Sequence, residues 1–177
     1  MGSPHIILIG FMAAGKTTVG RALAKTLNRP FVDCDATIEA RTGKSVPDLF
    51  RAEGEAAFRR YECEALQALL ARKEPSVISC GGGIVMHEAS RKLLEAEEQV
   101  VWLDTAVSIV YDRVKRQTGR PLRENQTLAS LEALAQKRQP FYASVGKYVV
   151  RLEQAEAPAS IAARIRQCLE QQRRDSE

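Results

Sequence analysis

Short apolar runs alternate with longer amphipathic ones along this chain. Five runs rich in Val, Ile or Leu read as strands: His5–Ile9, Phe31–Cys34, Ser76–Cys80, Val100–Leu103 and Tyr148–Leu152. Between them, Lys16–Leu27, Glu55–Leu70, Glu88–Glu95, Ala106–Lys115 and Leu128–Ala143 carry apolar residues at helical spacing. The alternation predicts an α/β fold, a three-layer αβα sandwich with a central five-stranded parallel sheet.

Two segments break the rhythm. After Asp35 the pattern stays helical for about forty residues, more than one crossover helix needs, which predicts a helical insertion over about 35–63. Residues 115–127, "KRQTGRPLRENQT", are polar and interrupted by Gly119 and Pro121, and read as a mobile loop able to act as a lid. The final "EQQRRDSE" reads as a frayed, solvated helix end. No repeat or low-complexity segment divides the 177 residues, and one domain over 1–177 is expected.

Composition narrows the function classes. With 45% hydrophobic and 27% charged residues and no long apolar run, the chain has no predicted membrane span. No basic segment with an apolar leader precedes His5, so a cytoplasmic address is expected. The four cysteines, Cys34, Cys63, Cys80 and Cys168, lack metal or redox spacing and are expected to be reduced and mostly buried. A net charge of +4 invites a nucleic-acid partner, but the basic residues are dispersed among acids and aromatics make up only 6%. No nucleic acid is expected, and no cysteine pattern forces anything beyond a monomer.

The clearest chemistry lies in "IGFMAAGKTTVG". Gly10 to Thr17 fits G-x-x-x-x-G-K-[ST] between a strand and a helix, the pattern of a phosphate-binding loop. Small residues let backbone N–H groups turn toward phosphate oxygens, and the helix adds its positive end. Lys16 can reach the β- and γ-phosphates of a nucleotide, and the Thr17 hydroxyl can ligand Mg²⁺. The plainer alternative is a tight glycine turn before a solvated lysine.

Other residues suggest a phosphoryl acceptor. "FVDCDATIEARTG" sets Asp33 and Asp35 two apart at a strand's end, where an extended backbone would point both carboxylates one way. One could assist Mg²⁺ through water while the other accepts a hydrogen bond from a hydroxyl; alternatively Asp35 caps a helix and Asp33 lies in a turn. "AFRRYECEAL" places Arg59 and Glu62 at i and i+3, so that Glu62 can fix a guanidinium aimed at a carboxylate, or the two form a surface ion pair. "SCGGGIV" ends a strand in Gly81, Gly82 and Gly83, either for close backbone approach to a ligand or as a simple turn. Arg120 in the polar loop could close over a γ-phosphate, and Arg138 precedes Pro140 on the late helix.

Taken in order, "GFMAAGKTTVGRALA", "DCDATIEARTGKSVPDLF", "GEAAFRRYE", "SCGGGIV", "GRPL" and "KRQPFY" resemble the shikimate kinases, of the nucleoside monophosphate kinase-like branch of P-loop proteins. The resemblance implies transfer of the ATP γ-phosphoryl group to the 3-hydroxyl of shikimate, with Mg²⁺. It implies ATP binding by Ala13, Ala14, Gly15, Lys16, Thr17 and Thr18, with Arg116 against adenine and Arg120 approaching both substrates. Asp35 would bind the shikimate hydroxyls and accept the proton. Arg59, Arg138 and the backbone of Gly81, Gly82 and Gly83 would hold its carboxylate. Lys16, Asp35 and Arg120 would carry catalysis, and Asp33 would reach the metal through water. Ala13 stands where many relatives have glycine, and the expectation is a negative φ there. Gluconate and adenylate kinases share the loop but not the combination of DxD, "FRR" and triple glycine.

Overall fold

The computed structural model describes residues 5–117 and 126–175. Five strands, β1 (Ile6–Gly10), β2 (Phe31–Asp33), β3 (Val77–Ser79), β4 (Val100–Thr105) and β5 (Tyr148–Leu152), form one parallel sheet in the order β2-β3-β1-β4-β5. Among the described residues seven helices join or flank them: α1 (Lys16–Leu27), α2 (Cys34–Thr42), α3 (Val46–Leu70), α4 (Glu88–Glu95), α5 (Val107–Arg116), α6 (Leu128–Val145) and α7 (Pro158–Asp175). A short 3-10 turn, Ile84–Met86, precedes α4. The central strand is apolar on both faces because both are covered. Ile6 and Leu8 pack with Leu23 of α1 and Ile161 and Ile165 of α7. Ile7 and Ile9 pack on the other face with Leu66 of α3, Leu94 of α4 and Tyr142 of α6. The predicted three-layer α/β sandwich is the observed one.

From β1 the chain crosses to β2 at one edge, and from β3 it crosses back to β4 on the other side of β1. The order therefore reverses around β1, and ligands of such sheets bind at the strands' C-terminal ends at that point.

Several boundaries differ from the sequence reading. β2 stops at Asp33 rather than Cys34, because the Asp33 carboxylate accepts the Ala36 N–H at 3.1 Å and starts α2. The helix read from Glu55 begins at Val46, capped by Ser45; Gly54, at φ 81° and ψ 174°, breaks its middle and hides the continuity of the pattern. Its Leu49, Phe58 and Ala65 pack with Ile38 of α2, a small core separate from the sheet. The tail, read as a solvated helix end, is helical through Asp175. All four cysteines are free; Cys34 and Cys80 are buried, Cys63 is half-buried and Cys168 is exposed, so burial holds for only part of the set. Among the described residues no helix is long and apolar enough to cross a membrane.

Candidate active site

The strand-to-helix turn after β1 has the backbone of an anion cradle. Gly15 forms the N-cap of α1 at φ 101° with no side-chain cap, and no acidic residue occupies the helix's first turn. The first N–H groups of α1 thus face outward with the positive end of the helix dipole. Lys16, only 8% exposed, donates from Nζ to the Gly10 and Phe11 carbonyls at 2.8 and 2.7 Å. Burial pushes its pKa from 10.5 down to about 8, against the pull of Cys80, Asp35 and Asp33. Ala14 is fully buried, its carbonyl accepting from the Thr105 hydroxyl at 3.0 Å, and the Thr18 hydroxyl donates to Gly15 O.

Ala13 corrects the expectation of a negative φ. It sits at φ 52°, in the left-handed region, where an alanine costs about 1–2 kcal/mol. Its carbonyl accepts a hydrogen bond from Arg113 Nη1 at 2.9 Å.

The two aspartates do not share an extended segment. Asp33 ends β2 and caps α2, whereas Asp35 lies in the first helical turn, which reverses the capping assignment weighed from sequence. The second carboxylate oxygen of Asp33 accepts from the Thr17 hydroxyl at 3.1 Å, which ties the end of β2 to the start of α1. These two oxygen donors fit a hard cation that keeps most of its ligands as water and phosphate, as Mg²⁺ does. Among the described residues no group of three His, Cys, Asp or Glu side chains could hold a metal without such help.

Arg59 is 11% exposed and held from two sides, by Glu62 at 2.6 Å and Glu55 at 2.9 Å. Burial opposes its charge, but the two carboxylates outweigh that and raise its pKa. Glu62 is 1% exposed, and burial lifts its carboxyl from 4.5 to about 7 despite the neighbouring guanidinium. The pair is therefore a buried one rather than the surface alternative. Among the described residues, Glu62 Oε1 and the buried Nε atoms of Arg59 and Arg138 have no hydrogen-bond partner.

Each of the three glycines answers to a different neighbour, and none has a positive φ. A Cβ on Gly81 would overlap Glu62 and come within 3.1 Å of Asp35 Oδ1; on Gly82 it would press on Met12 N at 3.0 Å; on Gly83 it would overlap the Arg59 guanidinium. The run is therefore a crossing point of the phosphate loop with the Asp35–Glu62–Arg59 cluster, not a simple turn. Tyr142 adds a brace, its hydroxyl donating to Gly82 O while its ring stacks on Trp102 at 5.8 Å. Burial raises the Tyr142 pKa to about 12, so it stays a donor.

Arg138 lies over the Phe11 ring, 5.8 Å from its centroid, and its charge acts on Lys16, Glu62 and Tyr142. Arg116 is the exposed last residue of α5. Arg120, and with it most of the predicted lid, lies outside the described residues. Tyr142 ends the "KRQPFY" motif without a role implied for it there, and Arg113 lies in no motif; their contacts with Gly82 and Ala13 bring them to the site.

A phosphate loop at the reversal of a parallel sheet, joined to a partly buried cluster of two arginines and two acids, defines a P-loop kinase of small molecules. The comparisons narrow this class. The shikimate kinase family model matches residues 12–170. A shikimate kinase of Halorhodospira halophila is 44% identical over 95% of this chain and 94% of its own, and one of Symbiobacterium thermophilum is 46% identical over 78% and 81%. The structure of an Acinetobacter baumannii shikimate kinase in complex with shikimate superposes with a TM-score of 0.88 at 38% identity, covering 96% of this chain and 94% of that one. The chain belongs to the shikimate kinase family, ATP-dependent transferases with an alcohol acceptor.

Proposed function

We propose that this chain moves the γ-phosphoryl group of ATP onto the 3-hydroxyl of shikimate, giving shikimate 3-phosphate and ADP, within a single kinase domain. The observation that carries this reading is the adjacency of the two halves of the site. The buried Lys16 ammonium, which marks the phosphate side, is within charge–charge reach of Asp35 and Arg138 on the acceptor side. The Acinetobacter relative was solved with shikimate bound, which supports the choice of acceptor.

On this reading the N–H groups of Ala13 to Thr18 cradle the phosphates, and Lys16 follows the γ-phosphoryl group through transfer. Arg59 and Arg138 grip the substrate carboxylate beside the backbone of Gly81, Gly82 and Gly83, with the 35–63 segment as the acceptor half of the domain. Asp35 orients the 3-hydroxyl and takes its proton as the O3–P bond forms and the bond from phosphorus to the ADP oxygen breaks. Thr17 directly, and Asp33 through water, would hold Mg²⁺, whose positive charge would offset that of the phosphates. Arg120, which the resemblance sets over the transferring group, and Arg116, which it sets against adenine, would complete the nucleotide side. Most of the catalysis is then positioning and electrostatics.

The test is product identity. Incubation with ATP, Mg²⁺ and shikimate, followed by ³¹P–¹H correlation NMR, is expected to place one new phosphate ester on C3 of the ring. An ester on another carbon, or none, rejects the assignment of Asp35 and the carboxylate clamp.

A further inference from the structure

The peptide that joins Ala14 to Gly15 is held from outside the phosphate loop. Thr105, the last residue of β4, donates its hydroxyl to the Ala14 carbonyl at 3.0 Å across a sequence separation of 91 residues. Thr105 is 6% exposed and Ala14 fully buried, so the carbonyl depends on this hydroxyl rather than on bulk water. The hydroxyl stands on a rigid support. Thr105 pairs with Leu152 of β5, and the next residue, Ala106, donates its N–H to Leu152 O at 2.9 Å. The same strand also meets the start of the loop, where Gly10 pairs with Leu103 and a Cβ on Gly10 would come within 2.7 Å of Leu103 O.

A trans peptide sets its C=O and N–H on opposite sides. With the Ala14 carbonyl turned to β4, the Gly15 N–H points away from that strand, and among the described residues no group accepts from it. Gly15 is also the N-cap of α1, where an anion is favoured. We infer that Thr105 is a positioning residue for nucleotide binding: by holding the Ala14 carbonyl it aims the Gly15 N–H at the phosphates. Without the hydroxyl the buried carbonyl loses its donor. A peptide that rotated to find another would turn a carbonyl oxygen toward the anion and the N–H away from it. Thr105 touches neither substrate in this account and acts through the one peptide.

The inference rests on the kinase reading only as far as nucleotide binding, so its test leaves out turnover. MgADP and shikimate affinities are measured separately by calorimetry for the wild type, Thr105→Val, Thr105→Ser and Thr105→Ala, with melting temperatures alongside. Threonine and valine differ by a hydroxyl for a methyl, serine and alanine by a hydroxyl for a hydrogen, so either comparison isolates the hydroxyl if a variant of the other fails to fold. In each, loss of the hydroxyl is expected to weaken MgADP about tenfold and shikimate less than about twofold. The Gly15 amide proton, followed by ¹H–¹⁵N NMR, is expected to move downfield on MgADP saturation in the wild type and Thr105→Ser, and to move less in Thr105→Val and Thr105→Ala. Equal MgADP affinities within the pairs would overturn the inference. Equal losses for both ligands would overturn it as well and make Thr105 a structural residue. A wild type that binds no MgADP would reject the kinase reading itself, and the inference with it.

Discussion

At the residue scale, the buried Arg59–Glu62 pair decides how the acceptor is read. A guanidinium gripped by two carboxylates cannot swing away. Arg59→Lys preserves charge but loses the planar fork, and is expected to raise the shikimate KM at least about tenfold while the ATP KM stays within about twofold. Steady-state kinetics with each substrate varied decide this; an unchanged shikimate KM would remove Arg59 from the acceptor site. Glu62 gives a pH signature. Its pKa is raised from 4.5 to about 7, so the stability it contributes is fully present below about pH 4.5 and is lost as pH rises through about 7. The melting temperature of Glu62→Gln relative to the wild type is therefore expected to rise between pH 5 and pH 8. A difference that is flat with pH would show that Glu62 is ionised throughout.

At the element scale, Asp33 joins two helices by serving both. One oxygen caps α2 and the other meets Thr17 at the start of α1. The roles separate by substitution, since asparagine caps a helix about as well as aspartate but carries no charge. Asp33→Asn is expected to keep the melting temperature and raise the Mg²⁺ concentration needed for half activity, whereas Asp33→Ala is expected to lose about 1 kcal/mol of stability as well. Equal Mg²⁺ requirements in wild type and Asp33→Asn would restrict Asp33 to capping. This double use was not legible in the sequence, because a D-x-D spacing looks the same in a strand as across a strand–helix junction. The same limit hid the start of α3, where Gly54 breaks the periodicity that Ser45 had begun. By contrast Lys16 and Thr17 were legible at once, because the phosphate loop is local: strand, glycines and helix follow one another without help from elsewhere. Arg113 and Tyr142 act on loop carbonyls 100 and 60 residues away, and no local pattern records such contacts.

At the scale of the whole molecule, the apolar runs sufficed for the architecture. Strands buried on both faces need no alternation, and helices between them require parallel pairing, so the layers follow from the pattern alone. The strand order does not; it comes from which edges the crossovers reach, and it sets the β1 loop beside the β3 glycines. That juxtaposition joins the phosphate loop to the proposed acceptor side. Gly82 meets Met12 of the loop, Gly83 leaves room for the Arg59 guanidinium, and Gly81 lies against Asp35, so the three glycines bring together the two halves of the proposed site. The measurement that tests this most directly is coupled ADP release with ATP and Mg²⁺, comparing shikimate with gluconate, AMP and no acceptor, with Lys16→Met as the control. ADP release that requires shikimate and disappears in a folded Lys16→Met variant is the expected result. Release that ignores shikimate, or that prefers another acceptor, would contradict the assignment of the Arg59, Arg138 and Asp35 cluster.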